Sequence, residues 1–391
     1  MIKIVHLCLN SAFTYSNGYQ DMMLAKCHAK EGHEVTLIAS SISLDNKKKQ
    51  YLDKSCDYIT TDNVRLIRIH RKRLFFLKIE EFLAPYDILP LLRKIKPDLI
   101  MIHGLVGSVS AYDVRKYVMR YNINCTVVAD IHNGMYLERH IQNTLKGKIL
   151  NLVRHIMNKQ MFLIYKKIYG VTPDCIKYAT LSYGAPEKKL ELLPLGFDTD
   201  MLEMKDKNAI YNSKRNEMGF LFKDIVTAHG GTICKERKTI ELIKAFSLLN
   251  DKRLKLVIFG DICDDVKEEF TKLVEENSDF VTYLGFLDKS GYYDLYLASD
   301  IAIFPGRQSV LWQEAIGCRL PLAIGYSEMI EYLDIGGNLH IFKNTSTDGL
   351  LDDLKKIFQN GKFEQMKSFA KMADITFFSY REIAKKLLNV R

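Results

Sequence analysis

Two doubly wound, parallel-sheet α/β domains in series are predicted for this chain. Three observations carry the prediction. Apolar runs of strand length alternate with helical patterns along nearly all of the 391 residues, the alternation breaks once at a polar, lysine-rich stretch before restarting, and no apolar run reaches the ~18 residues that a membrane-spanning helix requires.

The first run, IKIVHLCL, precedes a helical pattern over 18 to 31, then EVTLIAS, VRLIRIH, a helical stretch, DLIMIHG, another helix and TVVADIH. Strands separated by helices in this order form parallel sheets with crossover helices. After LELLPLG the composition shifts to FDTDMLEMKDKNAIYNSKRNEMG, which places a domain boundary between 1–197 and 198–374. The alternation resumes with KDIVTAHGG, a helix over 238 to 250, KLVIFGD, VTYLGFL, IAIFPG and LPLAIG, again with helices between. Ligands of such sheets bind outside the carboxyl ends of the strands, so a cleft between the domains is the expected site.

Hydrophobic residues make up 47% of the chain, enough for a sizeable core. Its eight cysteines lie far apart, with no C-x-x-C pair and no histidine spacing suited to zinc; they read as reduced thiols of a cytosolic protein, and no metal site is expected. The opening MIKIVHLCLN is too short and too quickly polar for a signal peptide. One glycine, Gly18, follows the first strand, so the G-x-G-x-x-G dinucleotide fingerprint is missing.

The formal net charge of +9 lies wholly in the first 200 residues. Two stretches there, 63–79 and 139–173, lack acids and mix Lys and Arg with Leu, Ile and Phe. Together they suit an anionic membrane surface, with a solvated basic face as the alternative. Nucleic acid is permitted by this charge, but no reader motif accompanies it.

Candidate site residues cluster at strand ends. In FPGRQSVLWQEAIGC a helix beginning near Ser309 puts Leu311, Glu314, Ala315 and Cys318 on its inward stripe. The N–H groups of Ser309, Val310 and Leu311 would favour a phosphate, although Ser309 serves equally as an N-cap. Glu314 needs hydrogen bonds or a partner to offset desolvation; sugar hydroxyls would supply them, and so would a buried Lys or Arg. Gly230 and Gly231 allow close backbone approach, and Lys235, Arg237 and Lys238 behind them suit a leaving diphosphate; an ordinary loop with solvated lysines is the alternative. His103 and His132 both end strands, and only His132 has Asp130 and Asn133 beside it in sequence.

The order of these segments resembles the retaining, group 1 type glycosyltransferases of family 4 over essentially the whole chain. NGYQDMMLAKCHAKEGHEVTLIAS is similar to that family's opening helix with its G-H-x-V turn, VTPDCIKYATLSYGAPEKKLELLPLGFDTD to its passage into the linker, and AHGGTICKERKTIELIKAF to its diphosphate-binding segment. FFSYREIAKKLLNVR resembles the last helix, expected over 375–391 and packed back on the first domain. The resemblance implies a GT-B fold, two Rossmann-like domains facing across a cleft, and a metal-independent, retaining transfer from a nucleotide-diphosphate sugar, UDP-linked in the first instance. By spacing, the diphosphate cation falls on Arg237, ribose binding on Glu314, contact with the reacting sugar or acceptor on His132, and base selection on backbone near Tyr283 to Phe286. Gly260, Gly285 and Phe286 join Gly230, Gly231, Lys235, Lys238, Ser309, Val310 and Leu311 as donor-binding positions. The acceptor implied is a glycan or lipid-linked glycan of surface polysaccharide synthesis, met in the cytoplasm or at the inner membrane face, and no further cofactor is required.

Two departures stand out. The family's E-x7-E motif puts its second glutamate on Glu314 and its first on Gly306, and the arginine that often follows the paired glycines is Thr232. Loss of the first glutamate leaves open a sugar-nucleotide binder without turnover. A sugar-nucleotide 2-epimerase needs paired acid and base carboxylates, for which there are no candidates.

Overall fold

The computed structural model describes residues 1–10, 12–14, 19–44, 50–72, 86–105, 109–135, 144–359 and 361–390. It divides into one unit of residues 1–195 with 380–391, and a second of 196–379. Residues 73–79 and 139–143 of the two basic stretches lie outside the described residues, as does Gly18.

The first unit runs β1 (Lys3–Cys8), α1 (Gln20–Lys30), β2 (Glu34–Ser40), β3 (Ile42–Leu44), β4 (Gln50–Leu52), β5 (Cys56–Ile59), β6 (Arg65–Ile69), α2 (Leu89–Ile95), β7 (Leu99–Ile102), α3 (Val109–Arg120), β8 (Thr126–Ile131), α4 (Leu145–Lys159), β9 (Tyr165–Gly170), α5 (Pro173–Tyr183) and β10 (Leu190–Leu192). Eight strands join in the order β10-β9-β8-β7-β1-β2-β6-β5, parallel except for the edge strand β5. The alternation of β1 shows how both faces are covered: Val5 and Leu7 enter one core, Ile4 and Cys8 the other.

The second unit runs α6 (Thr199–Glu203), α7 (Lys207–Glu217), β11 (Ile225–Gly230), α8 (Thr239–Leu249), β12 (Leu254–Phe259), α9 (Lys267–Glu276), β13 (Val281–Tyr283), α10 (Lys289–Ala298), β14 (Ile301–Phe304), α11 (Leu311–Gly317), β15 (Leu322–Gly325), β16 (Leu339–Phe342), α12 (Thr347–Phe358) and α13 (Lys362–Met372). Its six strands are all parallel, in the order β13-β12-β11-β14-β15-β16. The last helix, α14 (Tyr380–Leu388), belongs to the first unit and buries Tyr380, Ile383, Ala384 and Leu387 in the core that holds Ile4. It starts later than 375 because Ile375 and Phe378 pack into the second unit.

Strand order reverses direction between β1 and β7 in one sheet and between β11 and β14 in the other. At such a switch point the crossovers leave in opposite directions and open a crevice beyond the strand ends.

Candidate functional site

In the second unit, three neighbouring strands end in glycines of left-handed conformation. Gly231, one residue past β11, has φ +102°, Gly260 past β12 has φ +126°, and Gly285 past β13 has φ +70°. A side chain at 260 would strike the Gly231 carbonyl. Backbone hydrogen bonds set this edge, with Gly260 N–H donating to Gly285 O at 2.7 Å and the Tyr283 hydroxyl donating to Gly260 O at 2.7 Å. Gly230 is in β11, and a Cβ there would overlap the Phe259 ring. Phe286 beyond Gly285 is exposed.

Arg237 closes the switch point. It ends a short 3₁₀ turn over Lys235–Arg237, and its Nη1 donates to Arg307 O at 2.6 Å and Gln308 O at 3.3 Å. Its guanidinium carbon lies 3.9 Å from the Cβ position of Gly231, where Leu311 also arrives at 3.5 Å. The three positions, which are remote in sequence, therefore meet where β11 and β14 end. Lys238 turns away into a 2.7 Å pair with Glu241, and Lys235 is exposed. Arg307, which sequence reasoning passed over, brings a second guanidinium to the loop and donates its N–H to Glu236 O at 2.9 Å.

The loop after β14 explains the glycine at 306. A Cβ there would lie 2.5 Å from Arg237 Cα, so backbone packs on backbone and no glutamate fits. The helix begins at Leu311 rather than Ser309. Ser309 Oγ accepts the Leu311 N–H at 3.3 Å, which occupies one of the three N–H groups expected for a phosphate.

Glu314 faces inward and is 2% exposed. Its carboxyl group accepts from the Tyr293 hydroxyl, lies 3.4 Å from the Tyr292 hydroxyl and 4.0 Å from Lys289 Nζ. Lys289 is nearer to Asp198, at 3.0 Å, so its charge is shared. Burial pushes the Glu314 pKa up to about 8, against the pull of Lys289. His229 on β11 is another buried group that the sequence did not single out. It bridges Ile303 O at 2.7 Å and Thr239 Oγ1 at 2.8 Å, tying β14 and α8 to β11, and burial lowers its pKa to about 4.

In the first unit, His132 follows β8 with its side chain 42% exposed, its Nε2 3.4 Å from Asp130 Oδ1. Burial would lower its pKa, and the Asp130 carboxylate more than offsets this, leaving a net rise. His103, read from sequence as structural, also contacts Asp130, at 2.7 Å.

Residues 22–201 match the family model for Glycosyltransferase Family 4. No curated protein matches the chain in sequence. Among solved structures the chain is similar to a glycosyltransferase from Rickettsia africae ESF-5, with TM-score 0.67, 13% identity and coverage of 100% of this chain and 97% of that one. It is similar also to sucrose-phosphate synthase from Thermosynechococcus elongatus, with TM-score 0.67, 13% identity and coverage of 100% and 98%. A third likeness is to HepE of Anabaena in complex with UDP-glucose, with TM-score 0.66, 13% identity and coverage of 100% and 99%. At these identities the likeness establishes the GT-B fold around the family 4 region.

The basic stretches behave differently from each other in three dimensions. Within 63–72, Arg65 pairs with Asp57, Arg68 with Asp53 and Lys72 with Asp87, so acids outside the stretch partner three of its cations. On α4, by contrast, Leu145, Ile149, Leu152 and Ile156 form an exposed apolar stripe flanked by exposed Lys146, Lys148 and Lys159. Among the described residues no helix is long and apolar enough to cross a membrane.

Proposed function

We propose that this glycosyltransferase moves a sugar from a nucleotide-diphosphate donor, UDP-linked in the first instance, to a glycan or lipid-linked glycan, with retention at the anomeric carbon. The observation that carries the reading is the meeting of Arg237, Gly231 and Leu311 at the switch point of an all-parallel sheet, on an edge of left-handed glycines. Backbone without side chains lets a diphosphate approach, and a guanidinium beside it neutralises the charge that grows on the leaving phosphate. Arg307 adds positive charge to the same loop. HepE in complex with UDP-glucose supports such a donor.

In this reading Glu314 takes hydrogen bonds from the ribose, in exchange for or beside those of Tyr292 and Tyr293. His132 touches the reacting sugar or the acceptor. The leaving phosphate itself helps to take the acceptor proton, so no protein nucleophile is needed, and the fixed cation takes the role a magnesium ion plays elsewhere, without a cofactor. The stripe on α4 lies against an anionic lipid surface, at the inner face of the membrane, where a lipid-linked acceptor of surface polysaccharide synthesis would be met.

The decisive assay follows product anomers by NMR with EDTA present. Retained configuration and undiminished rate are expected; an inverted product or complete loss with EDTA overturns the mechanism. The close packing at Gly306, which removes a family carboxylate, favours one alternative, sugar-nucleotide binding without turnover. A donor that stays intact in the same assay, with and without acceptor, establishes that alternative.

A further inference from the structure

Four buried side chains of the first unit form a line at the β1/β7 switch point. His28 on α1, His6 on β1, His103 just past β7 and Asp130 on β8 are each at most 7% exposed. His28 Nε2 lies 2.9 Å from the Ala384 carbonyl of α14, and His28 Nδ1 lies 3.1 Å from His6 Nε2. His6 Nδ1 lies 2.9 Å from His103 Nε2, and His103 Nδ1 lies 2.7 Å from Asp130 Oδ2. Among the described residues no group of His, Cys, Asp or Glu is arranged to hold a metal ion, so these contacts are hydrogen bonds to be filled by protons.

Counting those protons decides the state of the line. Both ends, a carbonyl and a carboxylate, only accept. Four gaps therefore need four protons, while three neutral imidazoles bring one N–H each. A gap left empty would set two lone pairs against each other in a buried place, at the cost of an unmade hydrogen bond.

We infer that this line holds one proton beyond three neutral imidazoles, carried by a doubly protonated His103 against the Asp130 carboxylate, and that it positions His132. The remaining tautomers then follow without choice. His103 donates from both nitrogens, so His6 accepts at Nδ1 and donates from Nε2; His28 does likewise, and its Nε2–H reaches Ala384. Location of the charge follows from the surroundings. Burial holds the pKa of His6 well below its ordinary value and that of His28 at about 4, leaving the carboxylate end as the place for the cation. Burial alone would raise Asp130, but His103 and His132 more than offset it and hold the carboxyl far below the carboxylate range. The other titratable groups that bear on the line are Cys8, kept a thiol by burial, Asp21 of α1, and His33, whose ring meets His28 edge-on.

Asp130 is thereby fixed as an anion. Its Oδ1 accepts the Gly104 N–H at 2.7 Å and stands 3.4 Å from His132 Nε2, so the aim of the exposed imidazole depends on groups as remote as α14. The bearing on transfer rests on the function proposed above; the proton count does not.

Imidazole nitrogens of the ¹⁵N-histidine-labelled full chain, observed by NMR at neutral pH, test the count. His103 is expected with both nitrogens protonated, and His6 and His28 with Nε2 alone. His28→Gln keeps all four gaps, because the amide donates to Ala384 O and accepts from His6, so His103 keeps both protons. His28→Leu abolishes two gaps, which leaves two protons for two gaps and reduces His103 to one. A singly protonated His103 in the unaltered chain overturns the inference, as does the same His103 state in both variants. For the positioning role, kcat/KM should fall about tenfold in His28→Leu and recover in His28→Gln. Equal rates in all three proteins would remove that role, whereas absence of transfer in the unaltered chain with the expected NMR pattern would sink the proposed function instead.

Discussion

Replacing Glu314 by Gln is the most informative perturbation of the second unit. Glutamine keeps the shape of the side chain and can still accept from the Tyr293 hydroxyl, but it cannot ionise. In the native chain the carboxyl is shifted from an ordinary value of 4.5 to about 8 by burial. The folded state therefore binds a proton more tightly than the unfolded chain, and stability contributed by that proton is lost as pH rises from about 4.5 through about 8. At about 1.4 kcal/mol per pH unit, and with the slope fading as the folded-state pKa is reached, the loss between pH 6 and pH 8 comes to about 2 kcal/mol. In a unit of this size that corresponds to a fall in Tm of about 6 °C. Paired melts of the native chain and Glu314→Gln at pH 6 and pH 8 should show the gap between them moving by this amount in favour of the variant. Parallel pH dependence would refute a carboxyl whose pKa burial has raised. The same pair tests the ribose: if hydroxyls of a nucleotide donate to the carboxylate, UDP affinity in the native chain rises with pH toward 8 and is both weaker and flat in the variant. An unchanged affinity removes Glu314 from the nucleotide site.

Arg237→Ala should lower kcat by about 10²- to 10³-fold without changing the circular dichroism spectrum, the scale expected for loss of a preorganised charge at a developing anion; a change under threefold would contradict its placement. Gly260→Ala meets both a forbidden φ and the Gly231 carbonyl, and should destabilise the second unit by about 3 kcal/mol in urea titration; a neutral result would mean that the glycine edge is free to relax. Ile156→Glu on α4 should abolish flotation with anionic vesicles at low salt, where attraction is least screened, and leave transfer to a soluble acceptor unaltered; undiminished flotation would exclude this helix face.

Periodicity reveals most of the two sheets because buried parallel strands are continuous apolar runs. Two of the strands it misses break that rule for local reasons. Lys166 and Lys167 interrupt the run of β9, and β5, an antiparallel edge strand of sequence CDYI, is largely exposed on both faces. The site is legible only where the chemistry is local. Gly230, Gly231 and Arg237 share one loop, and the inward turn of Glu314 follows from helix spacing. Its tyrosine partners cannot be seen that way, because Tyr292 and Tyr293 lie on another helix 21 to 22 positions away. The same holds for His6, whose contacts with His28 and His103 span 22 and 97 positions. The acid-free stretch from 63 hides its partners for a related reason, since Asp57 reaches Arg65 across the paired strands β5 and β6 and Asp53 reaches Arg68 from just past β4.

Helix α14 returns from beyond the second unit to seal one face of the first sheet, and its Ala384 carbonyl anchors the histidine line. During synthesis that face must therefore wait, open and greasy, while nearly two hundred further residues are made, on the order of ten to forty seconds at ordinary ribosome speeds. The first unit thus begins translation before the second and is completed after it, a vulnerable interval in which a chaperone would be the natural cover.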